Sequence, residues 1–217
     1  MKHFGMICLL SASLLCMTAC GGTAPAASES SAVQTTAATE TSAATETSAA
    51  PETEAAETEP VSAVPDLDSL PAFTVTSENL HDGIWDTIIT KTKNGENRSP
   101  QLAWEPVSDA AGYVIMMADT TAGNWLHWKS NGVTETVLPE GWASAEEYVG
   151  PYPPSGTHSY EVFIFAVREI PAELAGKFNA ANTDASPVLE SVNRAADGSA
   201  GNILALGRLA GTYTHGD

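Results

Sequence analysis

The chain has 217 residues, with 27 acidic against 9 basic side chains and a formal net charge of −18. That balance disfavours nucleic acid and anionic lipid surfaces as bulk partners, so an anion site would have to work locally, against the net field. All three cysteines (Cys8, Cys16, Cys20) fall in the first twenty residues, which leaves the rest of the chain without a disulfide, a zinc–cysteine site or a cysteine nucleophile.

Lys2 and His3 precede an apolar run, Phe4 to Met17, too short to span a bilayer and suited to a signal-peptide core. It ends Met17-Thr-Ala-Cys20-Gly-Gly22, similar to a bacterial lipobox, so residues 1–19 read as a lipoprotein signal peptide and Cys20 as the lipidated first residue of the mature chain. No later stretch reaches the roughly 20 apolar residues of a membrane helix. Residues 20–66 are then a tether of Ala, Thr, Ser, Glu and Pro, with the hexad Ala-Thr-Glu-Thr-Ser-Ala at Ala38–Ala43 and again at Ala44–Ala49. Such a segment cannot bury enough apolar surface to offset its chain entropy and is expected to be disordered. It holds eight of the acidic residues, leaving roughly −11 on residues 67–217. The expected location is a membrane, lipid-anchored, on its extracytoplasmic face.

Residues 67–217 suffice for one domain with a real core. Phe73-Thr-Val-Thr-Ser77 alternates and predicts a strand, as does Thr87-Ile-Ile-Thr90. Tyr113–Ala118 is continuously apolar, as expected of a strand covered on both faces. Tyr160–Val167, dense in β-branched and aromatic residues, is the strongest strand, and Asn202–Tyr213 reads as another. Ser186 as N-cap with Pro187 in the first turn predicts a short helix ended by Asp197-Gly198, and Pro171–Phe178 a second helical turn. The fold class is mostly β, a sandwich with one or two short helices.

Two stretches each deliver one histidine: Asp119-Thr-Thr-Ala-Gly-Asn-Trp125-Leu-His127-Trp128 and Gly150-Pro-Tyr-Pro-Pro-Ser-Gly-Thr-His158-Ser-Tyr160. Strand side chains alternate, so His158 and Tyr160 share a face, as do Trp125 and His127. Asp119 follows the buried strand and should sit at its end, and the Gly/Pro-rich loop 150–156 is stiff. Two imidazoles and a phenol can donate to an oxyanion, and Asp119 can accept from an imidazole N–H and fix its tautomer. Plainer roles compete. His127 and His158 could bond backbone carbonyls, Asp119 could stabilise a turn, and Trp104, Trp128 and Trp142 suit the core. His81 reads as a turn residue and His215 as frayed tail.

These stretches, with Ser99-Pro100-Gln-Leu102-Ala-Trp104 before them and Gly211-Thr-Tyr213 after, resemble the phosphatidylethanolamine-binding protein family in its bacterial Raf-kinase-inhibitor-like branch. The resemblance implies an antiparallel β-sandwich with a small pocket for phosphate-like or carboxylate groups. It places Asp119, Trp125, His127, Pro153, His158 and Tyr160 in that pocket. Where the family reads Asp-Pro-Asp-Ala-Pro this chain has Asp119-Thr-Thr-Ala-Gly123, which predicts a looser and less acidic rim.

The expected function is therefore non-enzymatic binding of a small anionic or phosphorylated ligand, without cofactor or nucleic acid. The alternatives are a peptidase inhibitor or protein-interaction module, or a weak hydrolase or metal-dependent enzyme in the same pocket. Ser155 or Ser159 with His158 and Asp119 could form a triad, but no Gly-x-Ser-x-Gly elbow is present. The spacing of His127 and His158 carries no metal-ligand signature.

Overall fold

A computed structural model describes residues 64–216; the expected signal peptide, Cys20 and residues 20–63 of the tether lie outside them. Among the described residues no helix is long and apolar enough to cross a membrane. The strands in chain order are β1 (Ala72–Phe73), β2 (Val75–Thr76), β3 (Leu80–His81), β4 (Ile84–Trp85), β5 (Leu102–Trp104), β6 (Gly112–Asp119), β7 (Trp125–Val133), β8 (Val137–Leu138), β9 (Thr157–Val167) and β10 (Ile203–Thr214). One α-helix, α1 (Ser186–Asn193), precedes β10.

A seven-stranded sheet runs β3-β4-β10-β9-β6-β7, with β1 also on β10, and a three-stranded sheet runs β2-β5-β8. Pairing is mostly antiparallel, but β1 and β4 pair with β10 in parallel, so the large sheet is mixed. The mostly β sandwich of the sequence reading is the observed architecture.

The apolar alternation of β6 sorts the core. Tyr113, Ile115 and Met117 face the small sheet, where they meet Leu102, Trp104 and Leu138. Val114 and Met116 face the other way, against Val188 and Val192 of α1 and Phe165 of β9. Every residue of β6 is buried, as its unbroken apolar run requires. Each Val, Leu or Ile so covered contributes about 1.5–3 kcal/mol relative to an exposed side chain.

Five expectations are corrected. Thr87–Ile89 is a 3-10 turn rather than a strand. Thr90 turns back to bond the Thr87 carbonyl with both its backbone N–H and its hydroxyl, a local closure that β propensity does not register. Phe73–Ser77 is split into two strands that serve different sheets. Pro171–Phe178 forms no helical turn; the Leu174 and Gly176 carbonyls accept from Lys129 Nζ instead of closing a helical ladder. In α1, Ser186 is inside the helix and Ala185 is its N-cap, with no side-chain cap. The helix also ends at Asn193, before Asp197-Gly198, because Arg194 turns extended and bridges Ala200.

Candidate functional site

The sandwich-facing side of the large sheet carries its apolar row only as far as the ends of β6, β7 and β9. Asp119 ends β6 and pairs across with Tyr160 of β9 and with Trp125 of β7. One register places a carboxylate, a phenol and an indole side by side.

His127 arrives by a different device. Met117 pairs with Trp128, but Ala118 pairs with Leu126, so His127 is the extra residue of a β-bulge. The bulge has a readable consequence. Leu126 and Trp128, two apart, would share a face in a regular strand, yet Leu126 packs in the core under α1 and Trp128 in the core between the sheets. The Val149 N–H donates to the His127 carbonyl at 2.8 Å, fixing the bulge from its open edge.

Asp119 is nearly saturated. Its Oδ1 accepts from the backbone N–H groups of Thr121 (2.9 Å) and Ala122 (3.0 Å), and its Oδ2 accepts from His158 Nδ1 at 2.6 Å. The turn role and the orienting role weighed for Asp119 coexist. This bond commits Nδ1 of His158 and turns the chemistry of the ring over to Nε2. His127 likewise spends Nδ1, on the Val149 carbonyl at 2.7 Å. Burial, with a smaller contribution from His158, lowers the His127 pKa against the opposing pull of the Val149 carbonyl, Asp119 and the Gly150 carbonyl. His127 is therefore neutral near pH 7, with a lone pair on Nε2.

Both imidazoles line one cavity of about 610 Å³, together with Asp119, Trp125, Gly150 and Tyr152. Tyr160 does not line it. It lies beneath the two rings, stacked on His158 at 6.4 Å and edge-on to His127 at 5.3 Å between centroids. Its hydroxyl is buried without a hydrogen-bond partner, and burial first, then the charge of Asp119, raises its pKa well above the ordinary phenol value. Pro153 also misses the wall: it is buried, its carbonyl accepts from His215 Nδ1 at 2.8 Å, and Pro154 takes the lining position. His215 is thus a tie to the pocket loop and not a frayed end.

The loop after Asp119 is tied down rather than loose. Thr121 Oγ1 accepts from the Ser159 N–H (2.9 Å), and the Gly123 carbonyl from the Asn182 N–H (3.0 Å). Gly123 has φ +62°, which proline cannot adopt, so the missing second proline is a requirement of this turn. The rim is indeed short of acid: Asp119 is the one carboxylate in the lining.

Besides the apolar Val149, sequence reasoning missed two polar lining residues, Lys91 and Asn179. Asn179 holds the Trp125 indole by accepting from Nε1 at 3.3 Å, and its backbone N–H bonds the Leu126 carbonyl at 2.8 Å. Neither lies in a recognisable motif, and Asn179 follows the segment misread as helical. No group of three His, Cys, Asp or Glu suited to a metal ion occurs among the described residues. No serine oxygen is bonded to His158 among them either, although the carboxylate–imidazole half of a triad is present.

A β-sandwich with a histidine-lined pocket at the end of its sheet defines a class of small-ligand binding folds. Residues 62–214 match the family model described as phosphatidylethanolamine-binding protein, and the chain belongs to that family. It is 30% identical over 146 residues to a UPF0098 protein of Methanothermobacter thermautotrophicus, covering 58% of this chain and 88% of that one. Among solved structures it is similar to the Escherichia coli protein YbcL, described as a member of the mammalian family. That match has a TM-score of 0.49 at 20% identity and covers 65% of this chain and 98% of that one. A Chlamydia trachomatis homolog of the family gives a TM-score of 0.48 at 20% identity, over 65% of this chain and 97% of that one.

Proposed function

We propose that this protein binds a small oxyanion, such as a phosphate ester or a carboxylate, without chemically transforming it. The carrying observation is the 2.6 Å bond from His158 Nδ1 to Asp119, which aims Nε2 of a carboxylate-backed imidazole at the cavity that His127 shares. In its imidazolium form that ring carries an Nε2–H that donates to an anion. Residues 1–66 are read as a signal peptide and tether that hold the domain on the extracytoplasmic face of a membrane by a lipid on Cys20, which makes it a lipid-anchored family member of the bacterial Raf-kinase-inhibitor-like branch. Nucleic acid is not among the partners proposed.

The test is a titration of inorganic phosphate and sulfate followed through the histidine NMR signals. Both anions should shift His127 and His158, and His158→Ala should weaken binding roughly tenfold, about 1.4 kcal/mol. An anion favours the protonated form of His127, so binding raises its pKa from a depressed starting value. Sulfate, which does not itself titrate here, should bind more tightly as pH falls below about 6.5 and less tightly as pH rises, and His127→Gln should remove that part of the slope. A flat pH profile would sink the charged-imidazole mechanism. A second reading, hydrolysis, draws on the Asp119–His158 pair; covalent labelling of Ser155 by a serine-reactive probe would favour it.

A further inference from the structure

The cavity is several times larger than a phosphate, so its outer part must receive the rest of the ligand. Two exposed aromatic residues, Trp125 and Tyr152, lie there, and so does one fixed cation, Lys91. Arg98, Arg194 and Arg208 are each in ion pairs with carboxylates, and Lys129 is spent on two backbone carbonyls. Lys91, like Lys93, Arg168 and Lys177, has no ion pair among the described residues, but of these cations it alone lines the cavity. The sole lining carboxylate, Asp119, already has both oxygens engaged.

Its backbone is also built into the pocket wall. The Lys91 N–H donates to the Pro151 carbonyl at 3.0 Å, and the preceding Ile89 carbonyl accepts from the buried Tyr148 hydroxyl at 2.7 Å. Gly150 is seated against this segment so closely that a Cβ there would lie 2.1 Å from the Ile89 oxygen. The lysine therefore keeps a fixed root beside the histidine loop while its ammonium is exposed.

An ammonium at the far end of a bound phosphate ester would meet the Lys91 charge and find no free carboxylate to answer it. An oxyanion at that end would meet a partner. We infer that Lys91 is a specificity-determining residue, which makes the pocket select phosphate esters with a second, distal oxyanion over those ending in an ammonium. This rests on the oxyanion reading above.

The experiment compares inorganic phosphate, phosphoglycolate and phosphoethanolamine as probes of the full chain and of its Lys91→Met and Lys91→Glu variants by calorimetry. The unsubstituted chain should prefer phosphoglycolate to phosphoethanolamine roughly fivefold, a typical gain for an exposed charge pair. Lys91→Met should level the two, and Lys91→Glu should reverse them. An order unchanged by Lys91→Glu overturns the assignment and leaves the oxyanion site standing. Failure of the unsubstituted chain to bind inorganic phosphate overturns both.

Discussion

Two loops frame the pocket, and they are held in opposite ways. The turn from Asp119 to Asn124 is capped from within: its own carboxylate accepts from two of its own N–H groups, while Thr121 ties it to the adjacent strand and the Gly123 carbonyl to Asn182. The loop from Gly150 to Gly156 is held from outside. Asn97 Oδ1 accepts from the Gly150 N–H at 2.7 Å, Lys91 donates to Pro151, and His215 bonds Pro153 through Nδ1 and Gly156 through its backbone N–H. One wall of the site is thus capped by its own carboxylate as well as tied to Ser159 and Asn182. The other depends on segments some sixty residues away in either direction along the chain.

Substitutions can separate the two kinds of support. The largest effect should come from Asp119→Ala, which removes two backbone caps and the His158 partner at once. With charge-assisted bonds at about 1.5–3 kcal/mol each, a loss of roughly 4 kcal/mol in denaturant unfolding is expected, together with loss of phosphate binding. A loss under about 1 kcal/mol would show that the turn is not held by its own carboxylate. Gly150→Ala comes next: the added Cβ meets backbone rather than a movable side chain, and overpacking of that kind costs about 1–3 kcal/mol. Smallest should be His215→Ala, about 1 kcal/mol by the same measurement, with increased hydrogen exchange in the 150–156 loop and none in the 119–124 turn. Equal exchange in both loops would erase the distinction drawn between them.

The same contrast explains what could be read from the sequence. Of the strands that carry the site, β6 was legible as an unbroken apolar run and β9 by its β-branched and aromatic residues, whereas β7 was not among the predicted strands. Asp119 was legible as the acceptor for an imidazole N–H, and the resemblance brought both histidines to one pocket; that His158 is its partner came from the pairing of β6 with β9. The supports of the outer loop were not: His215 looks like any residue near a chain end, and nothing local marks Lys91 or Asn97. Thr87–Ile89 misled because β-branched residues score as strand while the turn is set by a single hydroxyl, that of Thr90. Tyr160 was placed on the correct face, but alternation says nothing of depth, and the ring sits under the imidazoles rather than beside them.

The bulge at His127 makes that residue supernumerary to the ladder. Strike it from the register and Leu126 and Trp128 become ordinary neighbours on opposite faces, each already in its proper core. The sheet and the site can therefore drift independently: a lineage of this fold could gain or shed one wall of its pocket by a single inserted or deleted codon, with both cores keeping their members.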